Sequence, residues 1–171
     1  MDFTFVAPDL RALDLAEAEL LACCIWSDVR PVRGSAGLLD FRLAGKLSFL
    51  SRQDFLGGAR GELLVLQGRP RLPFEKVLVF GLGRKADFSE AVFVAEVKHI
   101  SSALEGLRVA HAVVELPGRP DGMIAPERAA ELLVASITSE AHDSWALVED
   151  AEGQKRLGAK LEADRRHTRR S

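Results

Sequence analysis

The hydrophobic residues of this chain fall into two alternating patterns, short continuous apolar runs and stripes with helical spacing. A continuous apolar run bounded by polar, glycine or proline residues is typical of a strand that is covered on both faces of its sheet. Residues 20–26 and 76–80 are the clearest runs of this kind. The predicted strands are residues 3–6, 20–26, 62–66, 76–80, 109–116 and 145–148.

Four leucines with helical spacing predict a helix after the second strand. They recur at intervals of 4, 4 and 3 residues, which places them on one side of a helix that ends before the glycines at 57–58. The four residues are Leu39, Leu43, Leu47 and Leu50.

Three further helices are predicted from their start signals and apolar stripes. Asp87 and Glu90 fit an acidic variant of the capping box, so a helix is predicted to begin at Asp87 and to end at Gly106. Pro126 suits the first turn of the next helix. The last helix is predicted over residues 152–166, with Asp150 as its N-cap.

Strands that alternate with helices imply an α/β fold with a mixed, largely parallel sheet flanked by helices. The length of 171 residues suits one domain. The composition, with 47% hydrophobic and 28% charged residues, excludes intrinsic disorder. We assign residues 1–150 to this domain and residues 151–171 to a C-terminal helix and basic tail that packs on it or extends from it.

The lengths of the apolar runs and the number of cysteines indicate the cellular compartment of the protein. The apolar runs are far shorter than the roughly 20 residues that cross a bilayer, so no membrane association is predicted. The two cysteines, Cys23 and Cys24, are adjacent in a predicted strand and form no disulfide framework. We therefore expect a cytoplasmic protein.

The charge of the chain is uneven, although its net value of −2 provides no global positive field for nucleic acid. Residues 152–171 carry +4, which leaves −6 on the rest. No aromatic residue lies among these basic residues to stack on bases, so a solvated helix end is favoured over nucleic-acid binding. The weak candidate contacts to nucleic acid are Arg165, Arg166, Arg169 and Arg170.

A glycine turn after the strand at 76–80 is the candidate binding site. A strand, a glycine turn and a helix start in this order can direct backbone N–H groups at an anion. Ala86 replaces the third glycine of the dinucleotide fingerprint, and Asp87 would put a carboxylate where the anion should sit. A structural turn is favoured, and anion binding is the alternative. The turn consists of Gly81, Leu82, Gly83, Arg84 and Lys85.

No residue of the sequence has the setting expected of a catalytic group. The four histidines are scattered without ligand spacing, and no serine or cysteine has the setting of a nucleophile elbow. Asp150 and Glu152 are too few carboxylates for a metal site. We therefore predict no metal, no cofactor and no catalytic residue.

Three segments resemble motifs in the N-terminal domain of the M17 leucyl aminopeptidases. They are the helix segment 40–47 with its spaced leucines, the glycine turn and strand at 54–66, and the strand with its Gly-Leu-Gly turn at 76–83. The order and the spacing of the three agree with the family, and the order of elements extends the resemblance over about residues 1–150.

The resemblance implies a macro-domain-like, three-layer α/β sandwich. It also implies that the family's two-metal peptidase chemistry resides in a separate C-terminal domain, which has no counterpart in this sequence. The Asp-Ala-Glu-Gly of residues 150–153 overlaps the family signature N-T-D-A-E-G-R, but Val148 and Glu149 replace N-T, and Gln154 replaces the arginine. None of the family's catalytic or metal residues is carried over, and the chain is expected not to be an enzyme.

Three functions follow from these interpretations. The first is a non-catalytic regulatory or protein-interaction module with an unknown protein partner. The alternative is a macro-like domain that binds a nucleotide or an ADP-ribose-type anion at the glycine turn, and a weaker one is a DNA-binding accessory protein. A monomer or dimer is expected, because the resemblance implies that the family's hexamers form chiefly through their catalytic domains.

Overall fold

Six strands form a single sheet in the computed structural model, which describes residues 1–137 and 143–168. The strands are β1 (Asp2–Val6), β2 (Leu20–Ile25), β3 (Leu63–Gln67), β4 (Lys76–Gly81), β5 (His111–Val114) and β6 (Ser144–Val148). Their order across the sheet is β1-β6-β5-β2-β4-β3, and every neighbouring pair is parallel except β3 with β4. The predicted mixed, largely parallel sheet is confirmed.

Helices cover both faces of this sheet. They are α1 (Leu10–Asp14), α2 (Gly34–Arg42), α3 (Lys46–Arg52), α4 (Glu90–Gly106), α5 (Pro126–Ser136) and α6 (Ala151–Thr168). One face packs against α2 and α3 through Leu39 and Leu47, and the other against α4, α5 and α6 through Phe93, Leu133 and Leu157. The predicted three-layer sandwich is therefore observed. No helix among the described residues is long and apolar enough to span a membrane.

Strand β2 lies in the middle of the sheet, and all six of its residues are buried. Cys23 belongs to the apolar cluster on the side of α2, whereas Cys24 belongs to the cluster on the side of α4. Burial raises the pKa of both thiols well above the usual value, which disfavours the nucleophilic thiolate. The two cysteines are free and serve as packing residues.

The single helix predicted for the spaced leucines is wrong, because the segment forms two helices. Ala44 and Gly45 adopt left-handed backbone conformations, with φ of 55° and 81°, and separate α2 from α3. The carboxylate of Asp40 then accepts hydrogen bonds from the N–H groups of Leu47 at 2.7 Å and Ser48 at 3.2 Å. This carboxylate satisfies the first donors of α3, and the leucine spacing alone did not reveal the break.

The predicted start of the fourth helix is also wrong, by three residues. Asp87 lies in a short 3-10 turn, Lys85–Asp87, and α4 begins at Glu90. The N-cap is Ser89, whose hydroxyl accepts a hydrogen bond from the N–H of Val92 at 3.3 Å. Serine is among the favoured N-cap residues, so the true cap was available from the sequence.

We expect Ser89→Ala to lower the free energy of unfolding by about 1 kcal/mol, because the substitution removes this cap. Asp87→Ala is the matched control and is expected to leave stability nearly unchanged, since Asp87 lies outside α4. Urea unfolding followed by circular dichroism measures both variants. A larger loss for Asp87→Ala than for Ser89→Ala would contradict the assignment.

Helix α1 was not predicted, because residues 9–19 read as a polar and acidic connection. The carboxylate of Asp9 accepts a hydrogen bond from the N–H of Ala12 at 2.8 Å, and Leu13 is buried. At five residues, α1 is too short for a periodic apolar stripe to identify it.

Helix α6 begins at Ala151, one residue before its predicted start. The carboxylate of Asp150 accepts a hydrogen bond from the N–H of Gly153 at 2.7 Å, which confirms Asp150 as the N-cap. Leu157 and Leu161 are buried in the cluster shared with α5. The helix therefore packs against the domain through an apolar stripe.

Candidate functional site

The segments that follow β1, β2 and β5, together with the end of β6, border a cavity of about 310 Å³, which we call the crevice. The connection that follows β2 leads to α2 on one face of the sheet, whereas the connection that follows its neighbour β5 leads to α5 on the other face, so the side of the crossover reverses between these two strands. Open α/β sheets bind ligands at such a reversal, outside the carboxyl ends of the strands. The crevice is lined by Pro8, Arg33, Gly34, Arg119, Pro120, Asp121, Val148, Glu149 and Asp150.

A buried carboxylate lies below the crevice. Glu115 directly follows β5 and is 2% exposed. One oxygen accepts a hydrogen bond from the N–H of Ser35 at 2.6 Å, at the start of α2, and the other accepts one from the N–H of Cys24 at 3.4 Å. Burial raises the pKa of Glu115 to about 7, although these hydrogen bonds act in the opposite direction.

The start of α2 is therefore occupied by the protein's own acidic group. A helix N-terminus attracts anions through its free N–H groups and its dipole. At Gly34 a Cβ atom would lie only 2.8 Å from the Oε2 atom of Glu115, and φ is +63°. Glycine at this position lets the Glu115 carboxylate approach α2 closely.

A buried ion pair closes the second side of the crevice. Arg119 donates from Nε to Oε1 of Glu149 at 2.7 Å and from Nη2 to Oε2 at 2.9 Å, and the side chains are 10% and 4% exposed. The Nη1 atom of Arg119 also donates to the carbonyl of Ile124 at 2.6 Å. This bidentate geometry gives both carboxylate oxygens of Glu149 a hydrogen-bond donor, and it fixes the loop after β5 to the end of β6.

A third set of contacts joins the loops that follow β2, β4 and β5. Trp26 donates from Nε1 to Oδ2 of Asp121 at 2.6 Å, and Lys85 pairs with Oδ1 of the same carboxylate at 3.2 Å. Phe88 packs edge-on against Trp26, with ring centroids 5.5 Å apart. The inner pocket between Trp26, Cys24 and Glu115 is about 20 Å³, which admits roughly one water molecule.

Arg33 differs from the other polar residues of the crevice. It is exposed, occupies the N-cap position of α2, and lines both the crevice and the inner pocket. Within the described residues it makes no hydrogen bond or ion pair through its side chain, whereas Arg119 is bound to Glu149. Arg33 is thus a cation at the crevice mouth with its hydrogen-bonding capacity unused.

The acidic groups of the crevice are not arranged as a metal centre. In residues 1–137 and 143–168, no group of three or more His, Cys, Asp or Glu side chains is placed to hold a metal ion. His99 lies on α4 and His111 on β5, away from the crevice, and His142 lies outside the described residues. The charged side chains that line the crevice can offer a ligand hydrogen bonds and ion pairs.

The predicted glycine turn lies beside the crevice and uses most of its donors inside the protein. The N–H groups of Gly81, Leu82 and Gly83 donate to the carbonyls of residues 62, 25 and 58 at 2.8–2.9 Å. The N–H of Lys85 donates to the carboxylate of Asp28 at 3.0 Å. An anion at this turn would depend on the side chains of Arg84 and Lys85, and this site stays a prediction.

Close packing explains why the turn needs its first glycine. A Cβ atom at Gly81 would lie 2.0 Å from the carbonyl oxygen of Ala59 and 2.7 Å from the carbonyl carbon of Gly58. The backbones of the two glycine segments are therefore in direct contact, which only glycine permits. The turn holds the segment before β3 against the end of β4.

The basic residues predicted at the C-terminus lie away from the crevice or outside the described residues. Arg165 donates to the carboxylate of Asp2 at 3.0 Å. Arg166 is exposed and pairs with Glu162 at 3.7 Å, one helical turn earlier. Arg169 and Arg170 lie outside the described residues. Contact with nucleic acid at these arginines stays a prediction.

The crevice residues themselves were not predicted from the sequence. They were separated along the chain and matched no motif. One signal was available, because Glu149 directly follows the predicted strand at 145–148 and Glu115 lies at the end of the predicted strand at 109–116, where functional residues of parallel sheets concentrate. The missed residues are Arg33, Glu115, Arg119, Asp121 and Glu149.

This architecture belongs to the class of macrodomain-like α/β proteins. The macrodomain of Trypanosoma brucei in complex with ADP matches with a TM-score of 0.70 and 12% identity, over 94% of this chain and 69% of that one. The Oceanobacillus iheyensis macrodomain with ADP also matches with a TM-score of 0.70, at 9% identity over 91% and 88%. At these identities the likeness establishes the fold.

Sequence comparison establishes the family. The model of the cytosol aminopeptidase family, N-terminal domain, matches residues 27–144. The chain therefore belongs to the cytosol aminopeptidase (M17) family and corresponds to its N-terminal domain, which confirms the resemblance. A solved tomato leucine aminopeptidase has the same fold, with a TM-score of 0.60 and 19% identity over 93% of this chain and 35% of that one.

Full-length relatives are much longer than this chain. A probable cytosol aminopeptidase of Cupriavidus necator is 31% identical over 128 residues, which are 74% of this chain and 24% of that protein. A probable cytosol aminopeptidase of Halorhodospira halophila is 33% identical over 91 residues, 53% of this chain and 18% of that protein. The chain spans about a quarter or less of these relatives.

Proposed function

We propose that this chain is a non-catalytic regulatory or protein-interaction module of the cytosol aminopeptidase family that acts in the cytoplasm. The observation that supports this role is the internal use of the crevice's polar groups. Glu115, Glu149 and Asp121 each bind donors of the protein itself. Catalysis would instead need a nucleophile, acid or base within reach of a substrate, whereas these three carboxylates hold the loops of the protein together.

The proposed partner is a full-length cytosol aminopeptidase. This chain matches one domain of those longer proteins, so its surface is related to a surface that meets the rest of the protein there. A separate copy of the domain would compete for the same contacts and alter the assembly of the enzyme. The chain itself would contribute binding and no chemistry.

The test combines the purified chain with the full-length cytosol aminopeptidase of the organism that encodes it. The rate of leucine-amide hydrolysis is expected to change saturably as the chain is added, and sedimentation is expected to show a complex. The chain alone is expected to release no leucine with added Mn²⁺ or Zn²⁺. Hydrolysis by the chain alone, or unchanged rate and sedimentation of the enzyme, would contradict the proposal.

A second candidate function is binding of a nucleotide or ADP-ribose-type ligand. Arg33 favours it, because this exposed guanidinium at the crevice mouth has donors available for a phosphate. The fold neighbours from Trypanosoma brucei and Oceanobacillus iheyensis were solved with ADP. Such a ligand would place its charge at Arg33 and its uncharged part in the crevice.

Calorimetric titration with ADP and ADP-ribose decides on this candidate. If either ligand binds, Arg33→Gln is expected to weaken the affinity about tenfold, which corresponds to the loss of one charged hydrogen bond. Arg71→Gln is the matched control, because Arg71 is exposed in the connection between β3 and β4. Absence of heat with both ligands would remove the candidate.

A further inference from the structure

Strand β3 forms one edge of the sheet, and its outward side is open. The carbonyl of Glu62 accepts a hydrogen bond from the N–H of Gly81, and the N–H of Gly68 donates one to the carbonyl of Glu75. These two bonds identify which residues of β3 are hydrogen-bonded to the antiparallel strand β4. Because bonding alternates along such a ladder, Leu64 and Leu66 direct their N–H and C=O groups toward β4. The outward N–H and C=O groups belong to Leu63, Val65 and Gln67.

This edge lacks the usual protection against pairing with another strand. Its sequence, Leu-Leu-Val-Leu-Gln, contains no charge and no proline. Leu63 is 36% exposed and Val65 is 50% exposed. At the opposite edge of the sheet, Arg165 binds both the carboxylate of Asp2 and the carbonyl of Met1. Natural proteins generally guard long apolar edges with charges, proline or covering segments.

We propose that β3 pairs with β3 of a second copy of this chain, antiparallel and centred on Val65, so that the two sheets become continuous. In this register Val65 lies opposite Val65, and Leu63 lies opposite Gln67. The residues with outward backbone groups therefore face one another, and every outward N–H meets an outward C=O. The interface is isologous, because a two-fold axis through the Val65 pair relates the two copies and both contribute the same surface.

The side chains of β3 are complementary to themselves in this register. Leu64 of one copy lies opposite Leu66 of the other, and both residues are only partly buried in the isolated chain. At each end, Glu62 of one copy lies opposite Gly68 of the other, beside the exposed Arg69. The Glu62 carboxylate accepts hydrogen bonds from the N–H groups of Gly57 and Ala59 and Arg69 donates to the carbonyl of Pro73, so the two residues keep their charges without an ion pair among the described residues of their own chain. Apolar contacts and two pairs of opposite charges thus favour a second copy over an unrelated strand.

Pairing through β3 uses no residue that lines the crevice and does not depend on the proposed function. An interaction module that stays monomeric would still alter a full-length aminopeptidase, and a dimer could form without that activity. The oligomeric state of the chain on its own therefore separates the two proposals.

Sedimentation of the full chain over a range of concentrations is the first test. We expect a reversible dimer, and Val65→Lys is expected to weaken it about tenfold or more, because two like charges would meet on the two-fold axis. Val134→Lys is the matched control, since Val134 is 40% exposed on α5, and is expected to dimerise like the unaltered chain. A monomer at all concentrations, or a Val65→Lys dimer of unchanged affinity, would overturn the proposal.

A cross-linking variant tests the register without depending on the stability of Val65→Lys. Opposed residues of a hydrogen-bonded antiparallel pair have Cα atoms about 5.5 Å apart, within disulfide range. Mild oxidation of Val65→Cys is therefore expected to give a covalent dimer, and Val134→Cys is expected to give none. Cys23 and Cys24 are buried and do not compete. A Val65→Cys chain that remains monomeric after oxidation would overturn the register.

Discussion

Arg119→Met is expected to lower the free energy of unfolding by about 3–5 kcal/mol, because it leaves a buried carboxylate without its cation. The Arg119 and Glu149 side chains are 10% and 4% exposed, and two parallel hydrogen bonds of 2.7 and 2.9 Å join them. Methionine retains most of the apolar stem of arginine. The loss would therefore reflect the isolated charge of Glu149 and the released carbonyl of Ile124.

Urea unfolding of the double variant Arg119→Met, Glu149→Leu separates this cause from lost packing. Replacing a whole buried ion pair by apolar residues is often nearly neutral, so the double variant is expected to recover most of the stability. Arg128→Met is the matched control at an exposed pair with Glu90, where no measurable loss is expected. Equal losses in the single and double variants would show that packing, and not the unpaired charge, is responsible.

The stability of the protein is expected to fall as the pH rises from about 4.5 to about 7. In the folded state burial raises the pKa of Glu115 from the usual 4.5 to about 7. The unfolded chain ionises first over this interval, so proton release favours unfolding. The contribution of Glu115 is thus fully present below pH 4.5 and is lost as the pH passes 7, with a total of about 3 kcal/mol.

Glu115→Gln is the control that isolates this group. The variant keeps the shape of the side chain and an oxygen for the N–H of Ser35, but it cannot ionise. The difference in unfolding free energy between the unaltered chain and this variant is expected to change by about 3 kcal/mol between pH 4.5 and 7. A difference that stays constant over this interval would show that Glu115 does not titrate there.

Much of the fold was predictable because its signals are local. The continuous apolar run of β2 indicated a strand buried on both faces, and all six of its residues are buried. Asp150 was identified as an N-cap from its place before the last helix. Pro126 marked the start of α5 correctly. Each of these interpretations depends on residues within about one turn or one strand of each other.

Predictions failed where a local pattern was compatible with two structures. The leucine spacing between residues 39 and 50 is the same for one helix and for two helices broken at Ala44 and Gly45. The side chain of Asp40, which reaches forward to cap α3, decides between them. At α4, Asp87 and Ser89 are both residue types that favour the N-cap position. Asp87 is part of the 3-10 turn that precedes the helix, so Ser89 is the N-cap.

The chain's pattern of apolar runs, caps and glycines was sufficient to establish its class, its family resemblance and most of its elements. The crevice was determined only by the tertiary structure. Its contacts join Cys24 to Glu115, Trp26 to Asp121, and Arg119 to Glu149, which are 91, 95 and 30 residues apart. The physical reason is the strand order, because parallel crossovers bring the ends of β2, β5 and β6 together whatever their distance along the chain.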